Sequence, residues 1–212
     1  MPSRNVTKID IADSYYHVYA RGHGKQPIFQ DDEDYRVFLN LFKRYLSVNE
    51  LADRSGRKYP HLRDQVELLC YCLMPNHFHL LLYQIEKGAM AKLMSGIMTS
   101  YSVYFNKKYE MSGPLFESRY KASLVATDSY LMHISRYIHL NPDDWRAYPY
   151  SSIHAYFGIG QPEWLQQQKI IDLFGSTPIY ADFLDDYADY KKSLEEIECS
   201  LAKSTEYSRT LN

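Results

Sequence analysis

Alternation and helical spacing divide the chain into a short series of elements. Ser14–Arg21 (SYYHVYAR) is rich in aromatic and β-branched residues and runs into Gly22 and Gly24, which predicts a strand. Asp31, Asp32 and Glu33 follow as an acidic first turn, and Phe38, Leu41, Phe42 and Tyr45 recur at i, i+3, i+4 and i+7, so a helix comes next. Residues 49–64 are polar and charged without a period and predict a long loop. Residues 65–73 (QVELLCYCL) are continuously apolar after Glu67, as a central strand would be. Met74-Pro75-Asn76 turns the chain, and His77 to Gln84 (HFHLLLYQ) reads as the return strand of a hairpin. Ala89 to Tyr109 carries Met90, Leu93, Ile97, Met98, Tyr101, Tyr104 and Phe105 at helical spacing, and Ser112-Gly113-Pro114 ends it. A strand through Arg119-Tyr120-Lys121 to Val125 precedes a last long helix, capped by Thr127 or Asp128 and stopped near Asn141 by Pro142.

The order strand, helix, strand, strand, helix, strand, helix belongs to the α+β class. It fits a ferredoxin-like split βαβ arrangement, an antiparallel sheet with helices on one face. Beyond Pro149 the pattern changes to short helices and turns. At about 150 residues per domain, 212 residues suit one core domain over 1–150 and a mainly helical C-terminal extension over 151–212. Trp164, Leu165, Ile170, Ile171, Leu173 and Phe174 are enough for that extension to dock as a cap. Charge sharpens the division. Residues 1–150 hold 19 Lys and Arg against 16 Asp and Glu, a net of +3, whereas 151–212 hold 5 against 10, a net of −5. The first part admits a polyanionic partner; the acidic tail, which includes Lys191–Glu198, does not favour one. No apolar run approaches the roughly 20 residues of a membrane-spanning helix, and the N-terminus lacks a secretory pattern, so a cytoplasmic protein is expected. Cys70, Cys72 and Cys199 form an odd set with no second pair to complete a zinc site, which reads as buried reduced thiols.

Chemistry concentrates in two places. In a strand, residues i and i+2 share a face, so His77 and His79 project together while Phe78, Leu80 and Leu82 point the opposite way into the core. Two such imidazoles can chelate a divalent metal, or can merely hydrogen-bond at a strand end. In the helix from Asp128, Leu131, Ile134 and Ile138 form the stripe that should meet the sheet. Tyr137 and Asn141, at i and i+4, flank that stripe. A phenol and an amide oxygen would then sit at the seam of helix and sheet, although a half-buried core tyrosine would occupy the same place.

His77-Phe78-His79 after a Met-Pro-Asn turn resembles the His-hydrophobe-His signature of the HUH endonucleases. The segments Gly113–Lys121 (GPLFESRYK) and Arg136–Pro142 (RYIHLNP), in this order of elements, are similar to those of the REP-associated tyrosine transposases, single-tyrosine enzymes of the insertion-sequence type. The resemblance spans about residues 14–157. It implies that His77, His79 and Asn141 hold Mg²⁺ or Mn²⁺ and that Tyr137 is the nucleophile. Some relatives carry Gln where Asn141 stands, and the shorter side chain must sit closer to the metal or hold it through water. Tyr120 and Tyr130 do not match the nucleophile's position. The implied function is cleavage and rejoining of single-stranded or hairpin DNA at repeat palindromes, through a 5′-phosphotyrosine, by a nucleoid-associated protein. The resemblance leaves open a homodimer and the choice between a tyrosine acting in cis and one swapped into a partner. Arg21, Lys107, Lys108, Arg119 and Lys121 are the candidate DNA contacts, and each could instead be solvated surface charge. Two other readings stand beside this one: a repeat-hairpin binder that no longer cuts, and a metal phosphodiesterase that uses water.

Overall fold

The computed structural model describes residues 10–53, 55–186 and 197. Except for Ile197, the charged stretch at 191–198 and Cys199 lie outside them. The elements run β1 (Ser14–Arg21), α1 (Asp32–Leu46), β2 (Val66–Met74), β3 (His77–Gln84), α2 (Ala89–Lys108), β4 (Lys121–Val125) and α3 (Asp128–His139). Three shorter helices follow, α4 (Ile153–Tyr156), α5 (Gln168–Phe174) and α6 (Thr177–Asp185). The strands form one sheet in the order β2-β3-β1-β4 with every neighbouring pair antiparallel. Two βαβ units interleave to give this order, as the pattern of elements predicts.

The pleat sorts the apolar residues into two cores. Tyr16, Val18 and Ala20 of β1, with Phe78, Leu80 and Leu82 of β3, pack against α1 and α2. Leu81, Cys70 and Cys72 face the other way, against Leu131, Ile134 and Ile138 of α3 and against α5 and α6. Helices on one face therefore describe α1 and α2 only. The opposite face is covered too, because the continuous apolar run of β2 has side chains to bury on both sides. A bulge adjusts that run: Leu68 pairs with Leu82 and Cys70 with Leu81, leaving Leu69 as the extra residue. Leu68 stays in the first core while Leu69 and Cys70 both enter the second.

β2 has the composition of a central strand but lies at the sheet's edge. The segment after α3 supplies the missing neighbour. Leu73 N–H donates to the Tyr150 carbonyl, Ser152 N–H to the Tyr71 carbonyl and Gln166 N–H to the Leu68 carbonyl, so the edge is paired at both ends. The Tyr156 hydroxyl donates to the carbonyl of the bulged Leu69 at 2.9 Å. Trp164 and Leu165 turn into the α1/α2 core, whereas Ile170, Ile171 and Phe174 enter the other. Residues 150–174 thus wrap the β2 edge and contribute to both layers. No described helix is long and apolar enough to cross a membrane.

Candidate active site

α3 is held in place from two sides. The Thr127 hydroxyl accepts from Tyr130 N–H and caps its first turn. Its apolar stripe meets the sheet as its spacing predicts. Behind the stripe, Arg136 and His139 are fully buried. Arg136 donates to the carbonyls of Phe183 (3.1 Å) and Asp186 (3.3 Å) and lies over the Phe183 ring. His139 is hydrogen-bonded through Nδ1 to the Tyr180 hydroxyl (2.6 Å) and through Nε2 to the Ser152 hydroxyl (2.7 Å). The same Ser152 oxygen accepts from the Tyr71 N–H of β2. Buried polar groups with matched partners fix an orientation that apolar packing alone leaves loose. α6 and the segment at Ser152 therefore set the roll of α3 about its axis.

That roll presents Tyr137 and Asn141 to β3. The Tyr137 ring stands edge-on to His79, with centroids 5.2 Å apart, and to His17 at 5.8 Å. Asn141 Oδ1 lies 3.2 Å from His77 Nε2. His77 and His79 share one face of β3 as expected, their rings 5.1 Å apart and nearly perpendicular. Across the sheet, Arg21 of β1 is the register partner of His77, and Tyr19 is the partner of His79. Lys121 of β4 pairs with Tyr19 and holds its ammonium 5.6 Å above that ring. The four residues named from the motif are thus brought together, with Arg21 and Lys121 beside them.

The other three basic residues are not. Lys108 is ion-paired with Asp31, Glu33 and Asp34 at the start of α1. Its charge is neutralised in tying α2 to α1, and little is left for a phosphate. Lys107 is exposed near the end of α2. Arg119 lines a groove of about 950 Å³ between α2 and residues 114–120, on the α1/α2 side of the sheet. That groove contains none of His77, His79, Tyr137 and Asn141. Tyr120 is buried in the α1/α2 core.

One residue at the site escaped the sequence reading. His17 of β1 is fully buried and lies 2.9 Å, through Nε2, from His79 Nδ1. The signal was present in SYYHVYAR: Tyr15, His17, Tyr19 and Arg21 alternate onto one face, and antiparallel pairing with β3 makes that the histidine face. Burial lowers the His17 imidazole from the usual 6.5 to about 3. It also lowers His77, and lowers His79 further with the repulsion of His17 and His77 added. All three imidazoles are therefore neutral at pH 7, the form in which a ring nitrogen can bind a metal.

The donor set suits a divalent cation. His77 Nδ1 lies 2.6 Å from Asn76 Oδ1, and a proton held between them leaves a lone pair on Nε2. That lone pair faces Asn141 Oδ1, also an acceptor. Lone pairs on these two atoms can be shared with one cation. Among the described residues, no group of three or more His, Cys, Asp or Glu is placed to hold a metal ion. A cation here would therefore rest on two imidazoles and an amide oxygen, a neutral set that leaves its charge available to a phosphate.

Comparison with known proteins bears on the same residues. The family described as "Transposase IS200 like" matches residues 56–141, which include His77, His79, Tyr137 and Asn141. Among solved structures, a REP-associated tyrosine transposase bound to a REP hairpin is similar in fold, with a TM-score of 0.54. The match covers 77% of this chain and 92% of that one at 13% identity. No curated protein matches the chain.

The buried histidines should give stability a marked acid dependence. His139, like His17, is lowered by burial from the usual 6.5 to about 3. Between these values the unfolded chain binds more protons than the folded one. Stability is complete above about 6.5 and falls as pH drops toward 3, by up to ~1.4 kcal/mol per pH unit for each group. Urea unfolding at pH 7, 6, 5 and 4 measures this slope. His139→Gln should lower stability at pH 7 yet flatten the profile.

Proposed function

We propose, from the match of residues 56–141 to the IS200-like transposase family, that the chain cleaves and rejoins single-stranded or hairpin DNA through a covalent link to Tyr137. The observation that carries this reading is the delivery, by α3 and the residue just past its C-cap, of a phenol and an amide oxygen to two strand imidazoles. The Tyr137 ring lies 5.2 Å from that of His79, and Asn141 Oδ1 lies 3.2 Å from His77 Nε2. The REP hairpin in the structure of similar fold favours repeat palindromes as the DNA.

The chemistry follows from the groups present. A phosphodiester resists attack because its charged oxygens repel a nucleophile. Mg²⁺ or Mn²⁺ held by His77, His79 and Asn141 would neutralise that charge. Tyr137 gives up its phenolic proton, and its oxygen forms a bond to phosphorus while the bond to the 3′-oxygen of the preceding nucleotide breaks. One strand end then carries a 3′-hydroxyl and the other is a 5′-phosphotyrosine. Attack by a second 3′-hydroxyl on that phosphorus reverses the step and joins strands without ATP. A protonated phenol is a poor nucleophile, so holding the Tyr137 ring beside the bound phosphate supplies much of the rate. Arg21, in register with His77, and Lys121, in register with Tyr19, would bind neighbouring phosphates. Tyr19, between them on the sheet face, offers a ring on which an unpaired base can stack.

With a hairpin oligonucleotide and Mn²⁺, the wild type should give a protein–DNA adduct that survives denaturing electrophoresis. Tyr137→Phe should give none, while Tyr130→Phe still forms it. Cleavage without an adduct in the wild type would favour water as nucleophile, and binding without cleavage would favour a protein that only holds hairpins.

Salt dependence tests the basic residues separately. Each phosphate contact on a single strand adds about 0.7 to the slope of log K against log salt. Arg21→Gln and Lys121→Gln should each reduce the slope by about that amount. Lys108→Gln, whose ammonium is occupied by carboxylates, should leave it unchanged.

A further inference from the structure

We propose that His17 is a positioning residue for the candidate cation site: its Nε2 accepts the Nδ1 proton of His79, which leaves the Nε2 lone pair of His79 directed into the site. The inference rests on the metal reading above and extends it to a residue outside the motif.

The geometry carries it in three steps. First, His79 can bind a cation through Nε2 only if its single proton sits on Nδ1, and a neutral imidazole needs a partner to keep it there. The atom 2.9 Å from that Nδ1 is His17 Nε2. The pair is buried, so no water competes for the proton. Second, the orientation of His17 is set by the sheet and by rings. It faces Leu81 in the β1/β3 register, and its ring lies nearly coplanar with that of His79 (centroids 5.0 Å apart), 5.4 Å from that of Tyr19 and with Tyr137 edge-on. The same pair of rings therefore borders the proposed nucleophile. Third, His17 is an expensive residue to keep in this position. Its Nδ1 is buried without a hydrogen-bond partner among the described residues. An unpaired buried polar nitrogen costs stability that an apolar side chain of similar volume would not. A histidine that serves the core poorly and meets a candidate ligand through its other nitrogen is accounted for by that second contact.

The experiment is Mn²⁺ titration of the full chain, followed by electron paramagnetic resonance, on the wild type, His79→Ala, His17→Leu and His17→Gln. Thermal melting of each metal-free protein runs alongside. Removing an outer partner of a metal-bound histidine weakens affinity about 10–100-fold. His17→Leu should show that loss with a melting temperature equal to or above that of the wild type. His17→Gln, whose amide oxygen can take the Nδ1 proton from the same place, should recover much of the affinity. Affinity that falls in His79→Ala but not in His17→Leu would overturn the inference and leave the metal reading intact. So would equal losses in the Leu and Gln variants accompanied by a lowered melting temperature, which would make His17 a packing residue. A wild type that binds no Mn²⁺ would overturn both.

Discussion

The pleat of β3 is the constraint on which the site depends. Because successive side chains alternate, Phe78, Leu80 and Leu82 cannot enter the α1/α2 core without sending His77, His79 and Leu81 to the other face. A slip of one residue would bury the imidazoles among α1 and α2 and turn Phe78, Leu80 and Leu82 toward α3. The hydrophobic core thus holds the histidines in register more firmly than any contact they make themselves. β1 obeys the same rule. Tyr16, Val18 and Ala20 anchor it, and antiparallel pairing with β3 places His17, Tyr19 and Arg21 on the same face as the histidines. Imidazoles, stacking ring and guanidinium all follow from two strands sharing one core.

α3 needs a second device, because a helix on a sheet can roll about its axis. Its apolar stripe chooses a side, and the buried contacts of Arg136 and His139 choose the angle. Those contacts reach α6 and Ser152, both after residue 150. The C-terminal part is therefore tied to the site mechanically, through the helix that carries Tyr137. The same segment covers the β2 edge, so one stretch of chain closes the sheet and orients the helix that bears Tyr137 and precedes Asn141.

Much of this was legible in the sequence because period-2 and period-3.6 signals are local. The β3 alternation separated the histidines from Phe78, and the spacing of Leu131, Ile134 and Ile138 put Tyr137 and Asn141 at the seam. The parts that were not legible depend on distant pairing. The β2 run reads as a central strand, and nothing local indicates that residues 150–152 and 165–166 serve as its outer neighbours. His17 gains its meaning only from the β1/β3 register, 62 residues away from His79. Lys108 looks like a free cation at a helix end until α1 folds its carboxylates against it.

The central claim is that the helix docked on the histidine face supplies the nucleophile. Its most direct test is to locate the nucleotide on the protein. An adduct formed with hairpin DNA and Mn²⁺ can be trimmed with nuclease, digested with trypsin and read by tandem mass spectrometry. Cleavage after Arg136 and Arg146 yields YIHLNPDDWR, in which Tyr137 is the sole tyrosine. The account predicts a phosphonucleotide on that peptide alone. A phosphonucleotide on the peptide bearing Tyr130, or on any other tyrosine, would contradict it.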